Sequence, residues 1–181
     1  MPNWVKNNLR IKANGEKVLE ILEMIKDEKG NMTFNKIVPM PKELETEPSP
    51  QRDKDKAKKF KEKYGAPDWY DWGCKNWGCK WDASESEFYE EDGYSMVTFE
   101  TPWSPPREFL ISLSEMFPKV EFEMQFAEEG LGYIGKMTAK NGYVDVYYPE
   151  EGIDIVAIND SIWAEGWVTN WKGKESRINE R

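Results

Sequence analysis

Between Asp68 and Asp82 the sequence sets Trp69, Tyr70, Trp72, Trp77 and Trp81 among Asp71, Asn76 and the two flanking aspartates. Indole and phenol rings give flat faces on which a base can stack, and amide or carboxylate groups can orient what is stacked. One reading of this Trp-rich loop, residues 68–82, is therefore a nucleotide pocket. The other is structural: in a chain with few aliphatics, large rings are the main source of burial, and the loop would close one end of the core. The structural reading is preferred. Trp103 and a ridge of Trp163, Trp167 and Trp171, spaced by four, complete the rings that could meet a ligand or partner.

The chain has no His. That removes the commonest proton-transfer side chain near neutral pH and the usual nitrogen ligand of zinc, so Ser-His-Asp, Cys-His and His-based metal chemistry are excluded. Cys74 and Cys79 are its only cysteines. They are too few for a zinc site, and a disulfide closing their short loop stays open as an alternative. Asp68, Asp71, Asp82 and Glu85 are hard oxygen donors, but their spacing matches no metal loop. No metal, cofactor or catalytic residue is expected. A carboxylate pair could still hydrolyse a substrate, yet neither partner can be selected from sequence.

Charge is divided along the chain. Residues 1–64 carry 15 Lys and Arg against 11 Asp and Glu, whereas residues 65–181 carry 10 against 23, within an overall charge of -9. An acidic surface repels nucleic-acid backbones and attracts basic proteins, so direct nucleic-acid binding is not expected. Aromatics make up 14% of residues, which argues for a folded core despite a mean hydropathy of -0.81. The start lacks a basic head followed by an apolar run. No stretch reaches the roughly 18 consecutive apolar residues of a membrane span, so a cytoplasmic protein without membrane contact is expected.

The elements that must position these groups follow from periodicity. Trp4 to Lys12 alternates, with Val5, Leu9 and Ile11 on one face and Trp4, Lys6, Asn8, Arg10 and Lys12 on the other. After Asn14-Gly15, the spacing of Val18, Leu22 and Ile25 predicts an amphipathic helix. Residues 34–41 read as a buried extended connector, and residues 45–64 as a charged insertion carrying a short helix. Strands are expected near Ser84–Tyr89 and over Tyr94–Thr101. A helix started by Ser104-Pro105-Pro106 and stopped by Pro118 follows, then a strand from Val120 to Phe126 with one wet face. Glu121, Glu123 and Gln125 of this strand should lie beside the Trp4, Lys6, Asn8, Arg10 and Lys12 stripe of the first strand, so that the charges pair across the sheet and cancel.

Strand, helix, two strands, helix, strand is an α+β plan, the ferredoxin-like split β-α-β antiparallel sheet with two helices on one face. It is assigned to residues 1–135. Residues 136–181 form a C-terminal extension on the same domain, with a hairpin around Asn141-Gly142 and a helix over Asn159 to Trp171.

Four ordered blocks are more specific than this pattern: Met1-Pro2-Asn3-Trp4; residues 34–44; Trp69-Tyr70-Asp71-Trp72 with Asn76-Trp77-Gly78-Cys79-Lys80-Trp81-Asp82; and residues 99–106 around Trp103. Together they resemble the phage- and plasmid-encoded proteins grouped by a YubB ferredoxin-like domain, from Met1 to about Gly135. The resemblance implies a ferredoxin-like protein of a mobile element in the bacterial host cytoplasm, with no activity to carry over. The resulting expectation is a non-catalytic acidic binding protein. Its partner would be a host protein with a basic surface, such as a nucleic-acid-binding defence complex, inhibited by occlusion as an anti-CRISPR protein inhibits its target. The alternative is sequestration of a signalling nucleotide in the Trp-rich pocket, and an Asp/Glu-dependent hydrolase ranks last.

Overall fold

The computed structural model describes residues 2–91, 94–130, 132–150, 153–165, 167–168 and 173–176. Its first half runs β1 (Trp4–Lys12), α1 (Gly15–Ile25), α2 (Lys42–Glu45), α3 (Lys54–Tyr64) and α4 (Trp69–Asn76). It continues through β2 (Ser84–Glu91), β3 (Tyr94–Pro102), α5 (Arg107–Met116), β4 (Glu121–Glu128), β5 (Ile134–Lys140) and β6 (Tyr143–Pro149). The last described elements are α6 (Ile155–Asp160), a π-helical turn (Ser161–Glu165) and β7 (Gly173–Ser176).

The strands form one antiparallel sheet in the order β2-β3-β1-β4-β5-β6-β7. In its first four strands, each of the units β1-α1-β2 and β3-α5-β4 spans an intervening strand, which is the expected ferredoxin-like topology. The sheet continues past β4 without a break. Gly135 pairs with Phe126, and a Cβ at Gly135 would lie 2.3 Å from that ring, so only glycine lets β5 approach. Asn141 and Gly142 both have positive φ, as a two-residue hairpin requires.

Asn14 caps α1 by accepting the Lys17 amide at 3.0 Å. The apolar side of α1 (Val18, Ile21, Leu22, Ile25) and that of α5 (Phe109, Leu110, Leu113) bury against Val5, Leu9, Val97, Phe99, Phe122, Met124 and Phe126. Ser104 does not cap α5, whose N-cap is Pro106 without a side-chain bond. The Ser104 hydroxyl instead donates to the Gly78 carbonyl at 2.7 Å, tying the helix start to the Trp-rich segment.

The opposite sheet face differs from expectation. Gln125 and Asn8 are buried there, because the C-terminal segment crosses them. The Asn8 amide donates to the Ile162 carbonyl, Gln125 exchanges two hydrogen bonds with the Val168 backbone, and Asn159 donates to the Glu128 carbonyl. Amide side chains thus supply the partners that a buried loop backbone needs. The helix expected from Asn159 to Trp171 ends much earlier, since α6 closes at Asp160 and the π-helical turn at Glu165.

Charge pairing across β1 and β4 is present as expected, and the register sets Arg10 opposite Glu123 and Lys12 opposite Glu121. Lys12 lies 2.9 Å from Glu121 and 3.0 Å from Glu123, and Lys136 lies 2.8 Å from Glu123. Burial pushes the Glu123 carboxyl up, but the hydrogen bonds from Lys136 and Lys12 outweigh it and hold the group below the usual range. A carboxyl lowered in the folded state contributes stability above its unfolded pKa of about 4.3, lost as pH falls through the folded value. Lys136→Met is therefore expected to lower stability by up to about 1 kcal/mol at pH 7 and to have a smaller effect near pH 3, checked by urea unfolding at both pH values.

Candidate functional site

Residues 69–76 form a helix where a loop was expected. Asp68 caps it by accepting the Asp71 amide at 3.1 Å, and Gly73 lies so close to the Lys80 carbonyl, 2.8 Å from an added Cβ, that it acts as a contact point on the helix rather than a break. This helix sorts the rings into two sets. Trp72 and Trp77 point into the core, are 6% and 2% exposed, and meet edge to face at 5.3 Å. Trp77 also packs on Phe34 at 5.8 Å, and its indole donates to the Val38 carbonyl at 2.9 Å. Asn76 donates to the Trp72 carbonyl, completing the helix end. These three residues are built into the structure and present no face for stacking.

Asp82 also has its oxygens engaged. It accepts the Phe34 and Ala83 amides on one oxygen, and the Thr33 hydroxyl and Asn35 amide on the other, at 2.6–3.0 Å. It anchors the residue 33–35 connector to the start of β2. Among the described residues no three metal-ligating side chains converge.

The second set is half-buried, apart from Trp103, which is exposed. Trp81 meets Trp4 at 6.1 Å, Tyr70 meets Trp69 at 6.1 Å and Trp103 at 6.2 Å. The Lys80 ammonium stands 4.4 Å from the centres of both Trp81 and Trp103. Trp4, Trp81, Lys80, Trp103, Tyr70 and Trp69 thus make one continuous aromatic ridge, with exposed Asp71 beside it on α4. Trp103 is its most exposed ring, at 44%, and has φ of 68°. A bulky side chain in the left-handed region is strained, and such strain persists where surrounding bonds enforce it. Here the Trp103 amide donates to the Asn3 carbonyl, and the Tyr133 hydroxyl donates to the Trp103 carbonyl.

Trp163 and Trp167 do not join the ridge. Trp163 is half-buried against the Ala127, Ile134 and Ile162 cluster, and Trp167 lies under the Arg10 guanidinium at 3.7 Å. Trp171 falls outside the described residues. Lys80, Trp4 and Tyr133 were not among the site candidates. Lys80 lies between two candidate tryptophans in sequence, which was a usable signal, whereas Trp4 comes beside Trp81 only through the tertiary fold.

Both cysteines are free, so the Cys74–Cys79 disulfide alternative is excluded. Cys74 is exposed and Cys79 is buried, with burial raising both thiol pKa values. One thiol per chain is expected to react with Ellman's reagent in the native protein, and the second only in denaturant.

Comparison with known proteins places the second half of the ferredoxin-like unit. Residues 76–163 match the family described as the ferredoxin-like domain in Api92-like protein. The match spans just under half of the chain and corrects the YubB resemblance, for which no comparison gives support. Among solved structures, the protein api92 from Yersinia pseudotuberculosis superposes with a TM-score of 0.55 and 11% identity, covering 84% of this chain and all of that one. At that identity the Api92 likeness speaks for the fold alone. No curated protein sequence matches, and no catalytic family is indicated. No helix among the described residues is long and apolar enough to cross a membrane.

Proposed function

We propose that this chain is a non-catalytic binding protein whose aromatic ridge docks on a partner protein with a basic surface and occludes nucleic acid from it. The observation that carries the reading is the division of the tryptophans: Trp72 and Trp77 fill the core, while Trp103 is exposed and Trp81 and Trp4 are half-buried, with Lys80 between Trp81 and Trp103. Exposed Trp and Tyr clusters are the usual anchors of protein interfaces, because each ring removes a large area from water at low entropy cost. The acidic remainder of the chain supplies long-range attraction to a basic partner. The edge strand β2 adds to it, carrying exposed Glu85 and Glu87.

With the YubB resemblance corrected, a mobile-element origin no longer supports the choice of partner. The partner is defined by chemistry: a cytoplasmic protein whose basic groove ordinarily holds nucleic acid, defence nucleases included. Affinity capture at graded salt with wild-type and Trp103→Gly baits tests this. A partner retained by the wild type, released as salt rises and absent from the variant is expected. Identical captures on both baits, or none at low salt, would contradict it.

A further inference from the structure

Beside the ridge, a cleft of about 470 Å³ opens between Trp103 and Tyr133, also lined by Asn3, Glu128, Gly130 and Gly132. Glu128 is 4% exposed. Its Oε2 accepts the Gly130 and Gly132 amides at 3.0 and 2.7 Å, and a Cβ at Gly132 would fall 2.8 Å from that oxygen, so the chain wraps the carboxylate as closely as glycine permits. Its Oε1 is buried and has no hydrogen-bond donor among the described residues. No Lys or Arg among them reaches Glu128 within 4.0 Å, unlike Glu123, which is held by Lys12 and Lys136. Burial first, and the neighbouring Glu128 second, push the Tyr133 hydroxyl up to about 12.

A desolvated carboxylate without a cation is costly, and its cost falls when a cation enters beside it. Aromatic faces next to such a charge favour organic cations, whose attraction to a ring survives desolvation better than that of small hydrated ions. Trp103 already receives one cation in this way, from Lys80, which is not among the residues lining the cleft.

We infer that the Glu128–Trp103–Tyr133 cleft is a receptor for one alkylammonium or guanidinium head group, supplied by a Lys or Arg side chain of the partner. The source of the cation rests on the proposed function; the cation site itself does not. On this account the ridge provides contact area, and the cleft selects a basic residue at one point of the partner surface.

The test uses the full chain and small probes, so it needs no partner. Nα-acetyl-lysine amide and Nα-acetyl-arginine amide are titrated against tryptophan fluorescence and indole NMR signals, with Nα-acetyl-norleucine amide as the neutral control and butylammonium as the free amine. The lysine and arginine probes are expected to bind with Kd of about 1 mM and to shift the Trp103 indole, while norleucine amide does not. Glu128→Gln keeps an oxygen for the two glycine amides and is expected to weaken both cationic probes about tenfold without lowering Tm by more than a few degrees. Tyr133→Leu, which removes one ring wall, serves if the first variant unfolds. Absence of cation binding, or equal binding of norleucine amide or by Glu128→Gln, overturns the site. Butylammonium binding more than tenfold tighter than lysine amide overturns the partner side chain as its occupant and assigns the cleft to a free amine.

Discussion

Replacing Trp77 with alanine is expected to destabilise the fold by about 3–5 kcal/mol, the range for removing a buried large aromatic. The ring is 2% exposed, touches Trp72 and Phe34, and spends its indole proton on the Val38 carbonyl. The substitution therefore opens a cavity and also strips a carbonyl of its donor. It falls where α4, the residue 34–41 connector and α5 meet, since the Phe109 amide donates to the Trp77 carbonyl at 3.2 Å. Against a typical domain stability of about 5–15 kcal/mol, a large part of the folded population is at risk near 37 °C. Thermal unfolding should show Tm lowered by roughly 6–20 °C. A drop under 2 °C would mean that Trp77 is not the core residue described.

The opposite outcome is expected at Trp103. Glycine there loses the ring contacts with Tyr70 and Lys80 but relieves a left-handed backbone that costs a non-glycine residue about 1–2 kcal/mol. The two effects nearly offset, so Trp103→Gly should leave stability within about 1 kcal/mol of wild type. Affinity for the basic partner should fall by at least about 30-fold, the size of a hot-spot ring. Isothermal titration with the captured partner and a melt of the same variant read both. A protein that unfolds would return Trp103 to a structural role. Trp77 and Trp103 together thus separate core from surface within one aromatic set.

The sequence made the sheet legible because β1, β3 and β4 alternate clearly and their helices carry clean apolar stripes. That β1 and β4 are neighbours with paired charges followed from the strand order, while the Lys12–Glu121 register is set by the fold. What periodicity could not reveal was the cover on the far face. Gln125 and Asn8 read as wet because an amide looks polar in sequence, and only the tertiary path of residues 159–168 buries them. The Trp163, Trp167 and Trp171 spacing suggested a helix, but Trp167 and Val168 lie outside any helix, and Trp167 is held instead by Arg10.

In the site, sequence identified the Trp-rich segment and left core and pocket as alternatives. Separating them depended on the rotation of α4, which sends Trp72 inward while Trp69 and Tyr70 remain near the surface. That rotation is set by the Asp68 cap and by Gly73 against Lys80, features whose consequence emerges only in three dimensions. Glu128 was equally hidden: it ends a strand among many carboxylates, and that no Lys or Arg among the described residues stands beside it is a property of the folded chain.

Competition between this protein and nucleic acid for the partner's groove distinguishes occlusion from simple binding. A fluorescent oligonucleotide bound to the captured partner is titrated with wild-type protein and with Trp103→Gly. The wild type is expected to release the oligonucleotide one-for-one with complex formation, with weaker release at higher salt, and the variant to need at least about 30-fold more protein. A stable ternary complex, in which the partner holds the oligonucleotide and this protein together, would contradict occlusion.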